Sequence, residues 1–401
     1  MKRTNPSTPI FIHDCGFHSA LGNTPLSVQQ GLSQGHCPHM EPAENLLNSG
    51  KSTVVGRVKE ALPALPSHLL QFDSRNNRLA LSALQQIETS VRAAITRYGS
   101  ERVAVIVGTS TSGISDGEAG YAEKLSTGDF PRDYHYRKQE LGNGSDFIAH
   151  YFNLTGPCYS ISTACSSSGR VFISAKRLLK SGLVDAVIVG GVDTLCALTL
   201  NGFNSLEALS STLCRPFDEN RNGINIGESA AFMLLSKERP TTREPAIALL
   251  GAGDSSDAHH ISAPHPEGDG AEQAMLKSLA DAQLQPNDIG YINAHGTATP
   301  LNDSMESKAI ARIFGQSVPV SSTKPLTGHT LGAASATEAA IAWHMLKYDL
   351  SLPKQQCQHK AEDIDVDLVE SDIKLNGKAI LSNSFAFGGN NVSLIFGVCH
   401  D

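Results

Sequence analysis

The chain has 401 residues, 40% of them hydrophobic and 18% charged, with a formal net charge of -8. That length calls for one large duplicated core or two domains, and the acidic balance argues against nucleic acid or an anionic membrane surface as the main partner. No run of about eighteen apolar residues is present to insert into a membrane, and the eight cysteines include no C-x-x-C pair, which argues for free thiols and against structural zinc or another metal.

Along the chain, Ile10, Phe11 and Ile12 are followed at once by His13 and Asp14, too short an apolar stretch for a signal-peptide core, so the cytoplasm is the expected compartment. Residues 79–98 read as a helix with Leu81, Leu84, Ile87, Val91 and Ile95 on one stripe. Residues 103–108 then read as a buried strand and 109–113 as a turn-rich loop. Between Gly117 and Gly144 the composition turns polar and aromatic (Tyr121, Phe130, Tyr134, Tyr136), the mark of an insertion that caps something and stays out of the sheet. A short strand at 159–163 precedes a helix at 166–180, with Val171, Ala175, Leu178 and Leu179 on one face and Ser181-Gly182 as its stop. Residues 185–192 form another buried strand. The charged stretch 236–244, with Pro240 and then Pro245, reads as a link. The second half starts over: strand 246–251, helix 271–284, strand 289–294, helix 304–314, strand 318–321, a long helix 332–348, and strands 379–383 and 392–396. This alternation is that of an α/β fold with halves 1–240 and 241–401. From the grammar alone, duplication and two unlike domains both stay open.

Four motifs carry chemistry. In the run TACSSS from Thr163 to Ser168 a strand ends, Cys165 sits at the turn and a helix begins, so the thiol faces the positive end of a helix dipole, which favours thiolate. A lone cysteine is more often an inert core residue, and at this point both readings stand. The run NAHGTATP from Asn293 to Pro300 places His295 at the C-terminal end of a strand, where ligand groups gather in α/β sheets, although a turn histidine bonded to backbone is the plainer account. Lys324 and His329 lie five apart in a loop entering the long helix. A nucleophile, two imidazoles and a fixed cation match an acyl-thioester condensation, which needs a covalent acyl holder and stabilisation of an enolate. Finally, FAFGG from Phe385 to Gly389 lets backbone approach a ligand, or simply turns a hairpin.

Together with RPFDENRNG (Arg215 to Gly223) and Gly227-Glu228, these motifs resemble the β-ketoacyl-acyl-carrier-protein synthase family, of the elongating class with two active-site histidines, over nearly the whole chain. The resemblance implies a thiolase-like five-layer αβαβα fold built from two similar halves. It implies that Cys165 takes the acyl group and that the backbone N–H groups of Cys165 and Phe387 form an oxyanion hole. His295 and His329 would donate to the malonyl thioester oxygen as carbon dioxide leaves, and Lys324 would hold His329 in place. Glu306 would be a structural glutamate near Lys324. Thr297 and Thr299 would contact the pantetheine arm, with Phe203 and Phe385 beside the acyl chain. No tightly bound cofactor is implied; the phosphopantetheine arm of an acyl carrier protein brings the substrate. That carrier would dock on basic side chains at the tunnel mouth, with Arg75, Arg78 and Lys124 as candidates.

Alternatives of other kinds are a catalytically inactive chain-length factor, a thiolase-type acyltransferase and an initiating synthase. The first would lack Cys165. The second needs a base cysteine, and Cys399 follows no suitable glycine-rich motif. The third would have asparagine at His329. Two departures bear on the substrate: Ala386 stands where the family often has glycine, and Asn390 where it has threonine. These, with the 117–144 insertion, favour a specialised type II polyketide or aryl-polyene pathway over housekeeping fatty-acid elongation. The functional unit would then be a heterodimer with a chain-length factor instead of a homodimer.

Overall fold

The computed structural model describes residues 9–241, 245–377 and 379–399. The N-terminal half supplies strands β1 (Ile10–Ser19), β2 (Val103–Gly108), β3 (Cys158–Ile161), β4 (Ala186–Asp193) and β5 (Ser229–Ser236). The C-terminal half supplies β6 (Ala246–Ser256), β7 (Ile289–Asn293), β8 (Pro319–Ser321), β9 (Ala379–Phe385) and β10 (Asn390–Cys399). In space the first set runs β1-β5-β4-β2-β3 and the second β6-β10-β9-β7-β8, and the two-residue strand Asp367–Leu368 extends the far edge. Pairing directions also repeat. Two antiparallel contacts are followed by two parallel ones in each half. The two halves therefore share one topology.

Strands β2 and β4 are buried along their whole length, as their unbroken apolar sequences require of strands covered on both faces. Helices α1 (Arg75–Leu84), α2 (Glu88–Tyr98), α3 (Ile114–Thr127), α4 (Asn143–Phe152), α5 (Ser167–Ser181), α6 (Ala197–Ser205), α7 (Asp269–Ala282), α8 (Pro300–Phe314) and α9 (Ala334–Tyr348) surround and divide the sheet. α5 and α9 pack on each other and on strands of both halves. α1, α2 and α4 share a core with the outer face of the N-terminal strands, and α7 and α8 one with the outer face of the C-terminal strands. The result is the expected α/β thiolase-like five-layer order. The middle layer shows why: α9 is buried from Ala334 through Met345, an all-round apolar, alanine-rich helix that only an interior layer accommodates.

One detail was not expected. The two half-sheets are hydrogen-bonded to each other, antiparallel, where Ile10 meets Leu249 and Phe11 meets Ala248. The helix read at 79–98 is broken by a 3₁₀ turn, Gln85–Ile87, where Gln86 exchanges two hydrogen bonds with the backbone of Phe17. The 117–144 segment stays out of the sheet. Its α3 does cap something: the Glu118 carboxylate accepts from Ala197 N–H at 2.8 Å and Leu198 N–H at 2.7 Å, closing the N-terminus of α6. In the link 236–244, residues 242–244 lie outside the described residues, as does the N-terminal run before residue 9.

Candidate active site

Cys165 sits between β3 and α5 because Ala164 takes a left-handed φ of 52°, a turn that non-glycine residues adopt at a cost. The small hydroxyls around it hold that turn. Ser166 Oγ donates to the Thr163 carbonyl at 2.8 Å, Ser167 Oγ donates to the Ala164 carbonyl at 2.5 Å, and Thr163 N–H donates back to Ser167 Oγ at 2.9 Å.

His329 arrives from the other half. It follows Gly328, whose φ of 72° and contact with the Gly227 backbone leave no room for a side chain. Its backbone N–H donates to the Asn225 carbonyl at 2.6 Å. Its Nε2 lies 3.1 Å from Cys165 Sγ, while Leu331 N–H donates to its Nδ1 at 3.0 Å. That second bond settles the tautomer: Nδ1 is an acceptor, so the neutral ring carries its proton on Nε2 and donates toward the sulfur.

His295 closes the triangle, its ring perpendicular to that of His329 with centroids 5.3 Å apart. Glu306 receives the N–H groups of His295 and Gly296, both at 2.8 Å, and Asp303 receives Thr297 N–H at 3.0 Å and Phe217 N–H at 2.9 Å. Both carboxylates therefore shape the NAHGTATP loop, and Asp303 bolts it to the loop of the RPFDENRNG motif. Lys324 donates to the His295 carbonyl and, at 2.6 Å, to Glu338 Oε1. Glu306 stands within electrostatic reach of Lys324 and shapes the histidine loop, while the carboxylate that pairs with Lys324 directly is Glu338. Sequence reading missed Glu338, although a lone carboxylate in a helix otherwise apolar all round signals a buried cation partner.

Burial sets the protonation states. His295 and His329 are held well below the usual histidine range by desolvation and then by the Lys324 charge. The Cys165 thiol is pushed up to about 11 by desolvation, against the pull of Lys324 and of the backbone N–H groups of Phe387 and Cys165. Burial thus works against the helix dipole at this thiol. All three groups are neutral near pH 7. Their donor atoms lie within 4.8 Å of one another, close enough to hold a metal ion. The tautomer disfavours one. A metal on His329 Nε2 would move the ring proton to Nδ1, where it would face the Leu331 N–H.

The triangle opens into a cavity of about 300 Å³ lined by Phe203, Thr297, Thr299, Phe385, Ala386 and Phe387. The Phe203 and Phe387 rings meet with centroids 5.7 Å apart, and Thr297 and Thr299 share a hydroxyl–hydroxyl bond of 2.8 Å. The FAFGG run is both things it could be, a turn joining β9 to β10 and a wall of the cavity. Gly388 and Gly389 take φ values of 77° and 73°, whereas Ala386 is extended and unstrained. Cys399 ends β10 and lines no part of the cavity.

The structure does not bring the docking candidates to this mouth. Arg75 and Arg78 line a separate cavity in the N-terminal half, beside Asp116 and Lys138. Arg75 binds the buried Glu228 through Nε at 3.0 Å and Nη2 at 2.5 Å, and Arg78 binds Asp73 through two bonds of 2.6 Å. Lys124 lies 4.3 Å above the Phe130 ring. Arg75 and Arg78 are each held by a carboxylate within the chain and Lys124 by an aromatic face, apart from this mouth. No helix among the described residues is long and apolar enough to cross a membrane.

Comparison with known proteins agrees with the geometry. A family model described as "Beta-ketoacyl synthase, N-terminal domain" matches residues 15–240, and one described as "Beta-ketoacyl synthase, C-terminal domain" matches residues 247–358. The chain is 30% identical over 405 residues to a 3-oxoacyl-[acyl-carrier-protein] synthase 2 of Coxiella burnetii, covering 96% of this chain and 97% of that protein. It is 33% identical over 367 residues to nodulation protein E of Rhizobium meliloti, covering 88% and 90%. Among solved structures, the ketosynthase ApeO in complex with its chain length factor ApeC, from Xenorhabdus doucetiae, is 48% identical, with a TM-score of 0.93 and 100% of both chains covered.

Proposed function

The chain belongs to the beta-ketoacyl synthase family, and from that premise we propose a decarboxylative condensation that joins an acyl group on Cys165 to a malonyl unit delivered on acyl carrier protein. The observation that carries it is the His329 Nε2–H aimed at Cys165 Sγ from 3.1 Å, with His295 completing the neutral triangle. Cys165 displaces the carrier thiol from its thioester; the proton lost by Cys165 ends on the departing pantetheine sulfur. Malonyl thioester then enters, and its carboxylate leaves as carbon dioxide. The electron pair moves onto the thioester oxygen, which receives hydrogen bonds from His295 and His329. The resulting carbanion attacks the acyl carbonyl, whose oxygen is held by the N–H groups of Cys165 and Phe387. Collapse expels the Cys165 sulfur as thiolate, which takes a proton from solvent, and yields 3-oxoacyl carrier protein. Lys324, bound to Glu338 and to the His295 carbonyl, would position the His295 loop, and its charge would favour both imidazoles as neutral donors.

Phe203 and Phe385 would line the acyl chain, Thr297 and Thr299 would meet the pantetheine arm, and no other cofactor is needed. The two halves would divide at residues 240 and 241, and the cytoplasm, where carrier proteins are charged, would be the site of action. The 48% identity to a ketosynthase solved with a chain length factor, against 30% and 33% for the other relatives, favours a specialised type II system and a heterodimer of that kind. Mass spectrometry after incubation with a panel of acyl-carrier thioesters tests the reaction. The expected result is a mass gain on Cys165 that is absent from Cys165→Ala; no acylation from any donor would overturn it.

A further inference from the structure

Asn390, where threonine was expected, takes part in a contact that the reaction above does not use. Its Oδ1 accepts from Arg170 Nη2 at 3.1 Å. The same guanidinium donates through Nη1 to Asp254 Oδ2 at 2.9 Å and through Nη2 to the Ser255 carbonyl at 3.4 Å. Arg170 stands on α5, the helix that begins just after Cys165, while Asp254 and Ser255 belong to β6. One side chain thus joins the nucleophile's helix, the C-terminal sheet and the end of the 386–390 loop.

Three other ties of this loop run outward. Gly388 N–H donates to the Ile261 carbonyl at 2.8 Å, Asp257 N–H to the Gly389 carbonyl at 2.9 Å, and Asn391 Nδ2 to Asp257 Oδ1 at 2.6 Å. They lead to a surface segment in which Ile261 is 79% exposed; inward, Asn391 Nδ2 meets Ser255 Oγ at 3.3 Å and the β10–β6 ladder begins at Asn390, which fixes the loop's end to the sheet but not to α5. Among the described residues, Arg170–Asn390 is the side-chain hydrogen bond that links the loop to α5. What it holds in register is Phe387, which lines the same cavity as Cys165 and whose N–H lowers the cost of charge on that thiol.

We propose that Arg170 and Asn390 form a clamp that fixes the Phe387 N–H against Cys165, which makes Arg170 a positioning residue of the oxyanion hole. The bond is charge-assisted and half-buried, and a donor displaced by an ångström no longer stabilises the developing oxyanion. The functional part rests on the reading of Cys165 as the acyl acceptor; the loop part does not.

Hydrogen exchange of the full-length protein, followed by mass spectrometry on peptides spanning 385–391, separates the two. Asn390→Ala and Arg170→Gln are each expected to speed exchange of that peptide roughly tenfold, as the loss of one such bond allows. The double variant should exchange no faster than Arg170→Gln, because that change has already removed the contact Asn390→Ala deletes. Asn390→Asp keeps the acceptor and should exchange no faster than the parent. Arg177, 3.9 Å from Asp254, and Lys277, bonded to the Asp254 carbonyl, prevent the added charge from leaving the cluster anionic. The rate constant for acyl transfer to Cys165 should fall in Asn390→Ala and recover in Asn390→Asp, with the KM for the donor carrier unchanged. Parental exchange in Asn390→Ala would overturn the clamp. So would an Arg170→Gln variant that loosens α5 and β6 while leaving 385–391 untouched. Absence of acylation in the parent would sink the synthase reading and leave the exchange result standing.

Discussion

A cysteine ahead of a helix gains stabilisation of its anion from the dipole, but Cys165 is enclosed, and enclosure opposes that gain by desolvating the anion. The sign has a kinetic consequence. With the thiol pushed up to about 11, the reactive anion becomes more abundant with every pH step below that value. Alkylation of Cys165 by iodoacetamide should therefore rise about tenfold per unit between pH 7 and 9 without a plateau; saturation near neutrality would show a pre-formed thiolate. Lys324 is governed by the opposite rule. It and Glu338 are both almost wholly enclosed, so Lys324→Ala strands a carboxylate and should cost about 3–5 kcal/mol in denaturant unfolding. Lys324→Met combined with Glu338→Leu should recover most of that loss while still reducing turnover. Cys165, His295 and His329 could be recognised from sequence because each lies in a short motif whose local turn places it. Asn225 and the Arg170 contact could not, since their partners are brought together only by the packing of the two halves. The Arg75 ion pair was hidden by distance within one half: its partner Glu228 lies 153 residues away.

At the scale of elements, the polar insertion acts through a helix end. The Glu118 carboxylate satisfies two of the free N–H groups at the start of α6, and α6 carries Phe203 into the cavity. Glu118→Ala should lower stability by about 1 kcal/mol, the usual worth of a cap. It should also broaden the range of acyl chain lengths found on Cys165, read by intact-protein mass spectrometry; an unchanged chain profile would detach α3 from the tunnel wall. The strands β2, β4, β7 and β9 were legible because they are short apolar runs ended by glycine or polar turns. β1 was not: His13, Asp14 and His18 interrupt its apolar pattern, and their partners, Ser236, Ser90, Glu60 and Ser82, come from other elements. The helix at 79–98 was legible as a stripe but not as a break, because Gln86 is recruited by a strand nearly seventy positions earlier.

For the whole molecule, the sheet ends at β3, a strand half-buried throughout and unpaired on its outer side among the described residues. Tyr121, Leu125, Tyr136 and Leu198 stand exposed on α3, the segment after it and α6. Co-expression with a chain-length factor should give a one-to-one complex by native mass spectrometry, and a stable monomer under those conditions would contradict the heterodimer. The duplication was legible only as a repeated grammar; its proof, the identical strand order, depends on pairings that no local pattern encodes. That shared order has a further meaning. Cys165 precedes α5 and His329 precedes α9, the helices that follow the third strand of their respective halves. The sulfur and the imidazole that faces it thus occupy one and the same position, used twice. A half-length ancestor pairing with itself would have set two identical side chains face to face across its axis. Fusion into a single chain freed each copy to take a different chemical trade, and a symmetric contact became a division of labour.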